Sequence, residues 1–391
     1  MKKPKVAIVH DYFNQYGGGE RVVEAMHEVW PSAPIYTSIF DKNLMRGWLK
    51  LPEEKINTNF VQKLPFVGSL HKHYFFFYPL AFRLQNIGDA DVVISSSSYA
   101  AKFVRVKHGG IHICYMHTPP RFLWGYDTEL SRYYHKPFDR LLFPIYELLV
   151  PPIKYWLRRF DYSVAQEIDY FIANSKEVQK RIKKHYGRES VVVYPSVDIE
   201  RFKIKNKQSL RSNDLEKLKI KKGDYYLVVS RLGGYKKVDT VVEAFNKLGS
   251  SLKIVGDGPQ FNYLKRVAKK NVELLGRRSD EEVTDLFLGC KALIFPTHED
   301  FGIVPVEAMA AGKPVVAFRG GGALETILEG VTGEFFDEQK ADAIIKAVKK
   351  FDPKKYKSEA CISQAQKFSK NEFKRNISKF VEEAWQKRKI I

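Results

Sequence analysis

Cysteine is nearly missing from this chain of 391 residues: Cys114, Cys290 and Cys361 stand singly among apolar or helical neighbours. Three lone thiols supply neither a disulfide framework nor the paired spacing of a zinc site, and a reducing cytoplasm is the expected setting. Long apolar runs are lacking as well. The best candidate, Leu141–Pro152, is interrupted by Pro144, Glu147 and the Pro151-Pro152 pair, which argues against a membrane span of the ~20 residues that a bilayer requires. The first residues, MKKPKVAIVHDYF, join bases to a short apolar run that His10 and Asp11 end early. With no small-residue cleavage pattern, the run reads as a first strand and not as a secretory signal. Acid is scarce beside base: 45 Asp and Glu face 65 Lys and Arg, for a net charge of +20. Such a field attracts polyanions, either nucleic acid or an anionic membrane. No nucleic-acid-reading motif accompanies it, so nucleic acid is not an expected partner. His71–Tyr78 and Lys154–Phe160 mix aromatic rings with cations, as interfacial segments do. A core helix with a solvated basic face has the same composition.

A hydrophobic content of 44% and a charged content of 28% describe a globular protein, and the length allows two domains with separate cores. The most informative stretch is Lys291–Glu325. Ala292–Phe295 reads as a buried strand; a polar turn follows, and Pro305 opens a helical segment that stops near Gly312. Pro314–Phe318 reads as the next strand, so this is a strand–loop–helix–strand unit of a parallel sheet. Ligands collect at the carboxyl ends of such strands. Glu299 lies in the loop and Glu307 is expected in the first helical turn. Between them Phe301, Gly302, Ile303 and Val304 bring free backbone N–H groups to a helix N-terminus, a natural anion site. A carboxylate beside a phosphate would be repelled, so each Glu suits hydroxyl groups instead. A diphosphate with a sugar at either end meets both demands. Taken singly, Glu307 could merely complement the helix dipole, and Glu299 could be a solvated loop residue.

Val6–His10 reads as the first strand, followed by a Gly17-Gly18-Gly19 turn and a helical pattern from Val22. The turn is not a dinucleotide fingerprint, because Val22 stands where the third glycine would be needed. Asp89 and Asp91 have Asp-x-Asp spacing, but they precede the strand Val92–Ser95 and so sit at its amino end, the wrong end for a metal site. Gly110–Met116 is a further strand with His117 at its carboxyl end. Asp169–Asn174 is another, followed by a helix over Lys176–Tyr186 with Ser175 as N-cap. Lys203–Lys222 is polar and Lys-rich, the composition of a linker. Beyond it the strand Tyr225–Ser230 leads into Arg231-Leu232-Gly233-Gly234-Tyr235-Lys236-Lys237, where cations at a strand end suit a diphosphate. The strand Lys253–Val255 leads to Gly256, and Val272–Leu275 leads to Gly276-Arg277. Phe373–Lys389 carries apolar residues at helical spacing.

Glu299 and Glu307 enclose seven residues, and this string resembles the E-x7-E signature of retaining glycosyltransferases of family GT4. The resemblance runs along most of the chain. It implies an α/β protein of the GT-B fold, with two Rossmann-like domains facing across a cleft. Residues 1–205 would bind acceptor, residues 206–372 would bind the nucleotide sugar, and a helix over 373–391 would cross back to the first domain. Gly18 and Gly19 match the Gly-Gly pair that faces the donor diphosphate, and His117 matches the histidine whose surroundings touch the transferred sugar. Arg231 and Lys236 match the family's R-x4-K phosphate clamp, with Lys237 as a spare. The loops bearing Gly256, Leu275 and Arg277 would line base and ribose, Glu307 would hold the ribose, and Glu299 the donor sugar. The string His117–Trp124, HTPPRFLW, resembles bacterial O-antigen and polysaccharide mannosyltransferases.

The expected activity is therefore transfer of a hexose, mannose from GDP-mannose foremost, to a lipid-linked saccharide or polysaccharide acceptor, with no metal or other cofactor. The expected location is cytoplasmic, peripheral at the inner face of an anionic membrane. Two other readings share parts of the pattern: a nucleotide-sugar epimerase on the same fold, and a basic membrane-binding scaffold without catalysis.

Overall fold

A computed structural model describes residues 3–125, 137–203 and 224–388. The chain divides into two compact units, one formed by Met1–Ser196 with Asn371–Ile391 and the other by Val197–Lys370.

The sheet of the first unit contains β1 (Val6–His10), β2 (Ile35–Thr37), β3 (Ile56–Thr58), β4 (Val92–Ser97), β5 (Ile111–Met116), β6 (Tyr170–Ala173) and β7 (Ser190–Val192). All its pairings are parallel, in the order β3-β2-β1-β4-β5-β6-β7. The central strands β1, β4 and β5 are buried along their whole length, as parallel strands covered on both faces must be. Alternation sorts their side chains between two cores. Val6, Ile8, Ile94 and Ile113 pack on one face with Phe373, Ile377 and Val381 of the C-terminal helix Lys370–Arg388. Ala7, Val9 and Val93 pack on the other with Phe82 and Phe103.

The second sheet contains β8 (Tyr226–Val229), β9 (Leu252–Val255), β10 (Val272–Gly276), β11 (Ala292–Phe295), β12 (Val315–Phe318) and β13 (Gly333–Phe336). It is also wholly parallel, in the order β10-β9-β8-β11-β12-β13. Each sheet starts in its middle, grows to one side and then returns to grow to the other. The switch points fall between β1 and β4 and between β8 and β11, where crevices for ligands open at the carboxyl ends of strands.

Three expectations change. The C-terminal boundary of the first unit falls at Ser196 and not at 205. Val197 bridges Ser369, Arg201 pairs with Glu307, and Phe202 packs on Phe287, so this stretch belongs to the second core. The helix expected from Pro305 runs over Ile303–Ala310. Pro305 is its third residue, still within the turn whose N–H groups have no helical partner. Glu307 therefore stands in the second turn, too far in to act as a first-turn dipole complement. The linker reading of Lys203–Lys222 lies outside the described residues apart from Lys203. Among the described residues no helix is long and apolar enough to cross a membrane. All three cysteines are free and buried; burial pushes the Cys114 and Cys290 thiols up to about 12 and that of Cys361 to about 11.

Candidate active site

In the second unit the site residues stand on loops at the carboxyl edge of the sheet. Lys236, after β8, donates to Glu299, after β11, so this cation and this carboxylate meet across the switch point. Thr297 Oγ1 donates to the Lys236 carbonyl at 3.0 Å, pinning the two loops together. Arg231, one residue past Ser230, is exposed. Its loop is held by backbone bonds: Leu232 N to Asp257 O at 2.9 Å and Gln260 N to Leu232 O at 3.0 Å.

That close passage explains Gly256. A Cβ there would lie 1.8 Å from the Ser230 carbonyl oxygen, and its φ of 133° belongs to glycine. Gly256 donates to the Gly276 carbonyl at 2.9 Å, which joins its turn to the half-buried Leu275 and the exposed Arg277 at the end of β10.

The helix Ile303–Ala310 begins from Gly302, whose φ of 82° is left-handed, and its first N–H groups have no partner within the helix. Gly302, Ile303 and Val304 thus present backbone donors at the carboxyl edge. Phe301 does otherwise. Its ring is buried against Phe368, with centroids 5.5 Å apart, and anchors the loop in the core. Glu307 is 7% exposed. Its Oε1 accepts from Arg201 Nη2 at 2.7 Å, and Arg201 Nη1 lies 3.6 Å from Asp280.

Gly320, Gly321 and Gly322, after β12, form a floor beneath Glu299. Cβ atoms at Gly321 and Gly322 would fall 2.1 Å from the carbonyl oxygens of Glu299 and Phe301, and Gly322 N donates to Glu299 O at 2.9 Å.

In the first unit, Gly18 and Gly19 are the first two residues of the helix Gly18–Val29 and not a turn before it. Glu20 accepts the Gly17 N–H at 2.8 Å. A Cβ on Gly19 would stand 3.5 Å from His10 Cε1 and 3.7 Å from His117 Nε2, so these residues form one cluster. His117 follows β5, and its Nε2 lies 2.8 Å from Ser96 Oγ. Asp11, after β1, accepts backbone N–H groups from Ser98, Tyr99, Ala100 and Ala101 at 2.5–3.0 Å. It is a structural cap that shapes the loop after β4.

The segment after His117 is wired in turn. Thr118 Oγ1 accepts from Arg181 at 3.2 Å, and Trp124 Nε1 donates to Asp161 at 2.9 Å. Asp89 and Asp91 stand at the amino end of β4, as expected. Asp91 takes the Lys5 N–H at 2.9 Å and the Lys107 ammonium at 3.1 Å, and the Lys5 bond foremost holds its carboxyl below the usual range.

Sequence reading missed Arg201, His10, Ser96, Glu20 and the Gly320–Gly322 floor as parts of the site. Arg201 was assigned to the end of the first domain, whereas it belongs to the second unit with its partner Glu307. His10 ends β1 and Ser96 is the next-to-last residue of β4, and only the parallel register sets them side by side.

Two parallel-sheet α/β units with ligand-type loops at their switch points define the GT-B class of glycosyltransferases. Residues 16–201 match Glycosyltransferase Family 4 and residues 211–368 match Glycosyl transferases group 1, and the protein belongs to this GT4 group. An alpha-1,3/1,6-mannosyltransferase of Saccharomyces cerevisiae is 26% identical over 394 residues, covering 85% of this chain and 73% of that one. A GDP-mannose-dependent alpha-(1-6)-phosphatidylinositol monomannoside mannosyltransferase of Mycolicibacterium smegmatis is 32% identical, covering 51% of this chain and 56% of its own length. Against the first curated relatives the match spans about half of each, 46% and 56%. Among solved structures, Anabaena HepE in complex with UDP and glucose superposes with a TM-score of 0.68 at 19% identity, over 97% of this chain and 100% of that one.

Proposed function

We propose that the protein is a retaining hexosyltransferase that moves mannose from GDP-mannose to a hydroxyl of a lipid-linked saccharide. The observation that carries the reading is the meeting of Lys236 with Glu299 at the second switch point, beside the amino end of Ile303–Ala310. Cation, carboxylate and free N–H groups in one place suit a sugar diphosphate. Arg231 and Lys236, with the N–H groups of Gly302 and Ile303, stabilise the charge that builds on the departing diphosphate. They do there what a divalent ion does in other sugar-nucleotide enzymes, and neither a metal nor another cofactor takes part. Glu299 accepts from hydroxyls of the transferred sugar. Glu307, held by Arg201, accepts from the ribose, and Gly256, Leu275 and Arg277 line the nucleoside. In the first unit, which binds the acceptor, His117 meets the transferred sugar, and Gly18 and Gly19 bring helical N–H groups to the diphosphate.

The donor and acceptor are supported by the two mannosyltransferase relatives, one of them named for GDP-mannose and for a lipid substrate. The HTPPRFLW string supports the same choice. A site at the inner face of an anionic membrane is supported by the charge of +20 and by Tyr155 and Trp156, each 61% exposed on the helix Pro137–Glu167 beside Arg159. Aromatic rings and bases on one exposed face suit a lipid headgroup layer.

A panel of GDP-mannose, UDP-glucose and UDP-N-acetylglucosamine, scored for nucleoside diphosphate release, tests the reading. Release from GDP-mannose above the others is the expected result. Turnover of the UDP sugars alone would overturn the donor and keep the reaction. Release from none of a wider panel would favour the non-catalytic scaffold.

A further inference from the structure

Glu20, His10, Ser96 and His117 form a continuous line at the carboxyl ends of β1, β4 and β5. Glu20 Oε1 lies 3.7 Å from His10 Nε2, and His10 Nδ1 lies 3.2 Å from both the carbonyl oxygen and Oγ of Ser96. Ser96 Oγ in turn lies 2.8 Å from His117 Nε2. Glu20 makes no hydrogen bond to His10 at that distance, but His10 and Ser96 are both buried, so the bonds at His10 Nδ1 cannot be exchanged freely for water.

Donor and acceptor rules fix the protons. A carbonyl oxygen only accepts, so the contact between His10 Nδ1 and Ser96 O requires a hydrogen on Nδ1. Without it, two lone pairs would face each other in a buried place, at the cost of an unsatisfied acceptor. The same N–H reaches Ser96 Oγ, whose own hydrogen is then the one to give. His117 Nε2 accepts it. A neutral imidazole that accepts at Nε2 carries its proton at Nδ1. Gly19 adds a steric condition, because the start of the helix Gly18–Val29 lies against both rings.

We infer that Ser96, oriented by His10, is a positioning residue that holds His117 in the Nδ1–H tautomer. The tautomer follows from the first unit alone; its use on the sugar rests on the reading of His117 given above. Ser96→Ala removes one oxygen from a buried strand and leaves the packing of its neighbours in place. His10 acts one bond further out, by keeping the Ser96 hydroxyl turned toward His117.

The test is nitrogen and carbon NMR of protein labelled at its ten histidines, with the His117 signal identified by its loss in His117→Gln, together with steady-state kinetics on GDP-mannose. The wild type should show His117 as Nδ1–H. Ser96→Ala should move it toward a mixture with Nε2–H and lower kcat by roughly tenfold or more with little change in donor KM. Nε2–H in the wild type, or a tautomer untouched by Ser96→Ala, would overturn the lock whatever the activity. A shifted tautomer with unchanged kcat would confirm the lock and remove His117 from the sugar.

Discussion

At the scale of single residues, Lys236, Glu299 and Glu307 carry different burdens, and substitution should separate them. Lys236→Ala removes the charge proposed to stabilise the departing diphosphate. It should lower kcat by about a hundredfold, as loss of comparable stabilisers does. Activity should survive excess EDTA, since the proposed charge stabiliser is protein. Glu299→Gln should leave GDP affinity nearly intact and reduce turnover, because the partner proposed for it is the sugar that moves. Glu307→Gln keeps an acceptor but weakens a charge-assisted bond, and it also loosens the grip of Arg201 at 2.7 Å. Its effect should appear in GDP affinity, read by calorimetry. A normal turnover in Glu299→Gln, or loss of activity on chelation with recovery on Mg²⁺, would show the roles to be misassigned.

At the scale of elements, each unit braces its own candidate residues. The Gly320–Gly322 turn passes so close to the Glu299 loop that a Cβ at Gly322 would sit 2.1 Å from the Phe301 carbonyl oxygen. Gly322→Ala must therefore displace the backbone that carries Glu299. A shift near 1 Å in a reacting group costs about a hundredfold, so turnover should fall far more than stability; equal losses in turnover and Tm would point to general unfolding instead. The helix Pro137–Glu167 braces the loop after His117 through a buried pair. Lys102 Nζ lies 2.5 Å from Asp161 Oδ1, both side chains 0% exposed, and Asp161 Oδ2 accepts from Trp124 and Tyr186 at 2.9 and 2.7 Å. Asp161→Asn would strand a buried ammonium and should cost about 3–5 kcal/mol. The double change Lys102→Met with Asp161→Asn should cost less by denaturant unfolding, because no charge is left buried and the Asn carbonyl still accepts from Trp124 and Tyr186. If the double variant is the less stable one, the pair contributes net stability and the desolvation argument fails.

At the scale of the whole molecule, the charge of +20 should make binding to anionic vesicles strong at low salt and weak near 0.5 M, where screening is short-ranged. Binding should also fall with Trp156→Ala, whose ring is 61% exposed. Equal binding to neutral vesicles would contradict an electrostatic surface.

Much of the second unit was legible in the sequence because its chemistry and its strands coincide. Ala292–Phe295 is an uninterrupted apolar strand, and Glu299, Gly302 and Glu307 follow it at spacings that a loop and a helix impose. β2 and β3 were not legible: three residues each give periodicity too little length to register. Arg201 was not legible either, because its partner Glu307 lies 106 positions away and only folding joins them. The Ser96 bridge was hidden for the same reason, since a serine run inside a strand carries no signal until the register sets Ser96 beside His10.

The most direct measurement is proton NMR of GDP-mannose turnover, in EDTA, with a lipid-linked saccharide as acceptor. The account predicts release of GDP together with a new glycosidic signal of the same anomeric configuration as the α-linked donor. Product of inverted configuration, or no GDP release until a divalent metal is added, would contradict it.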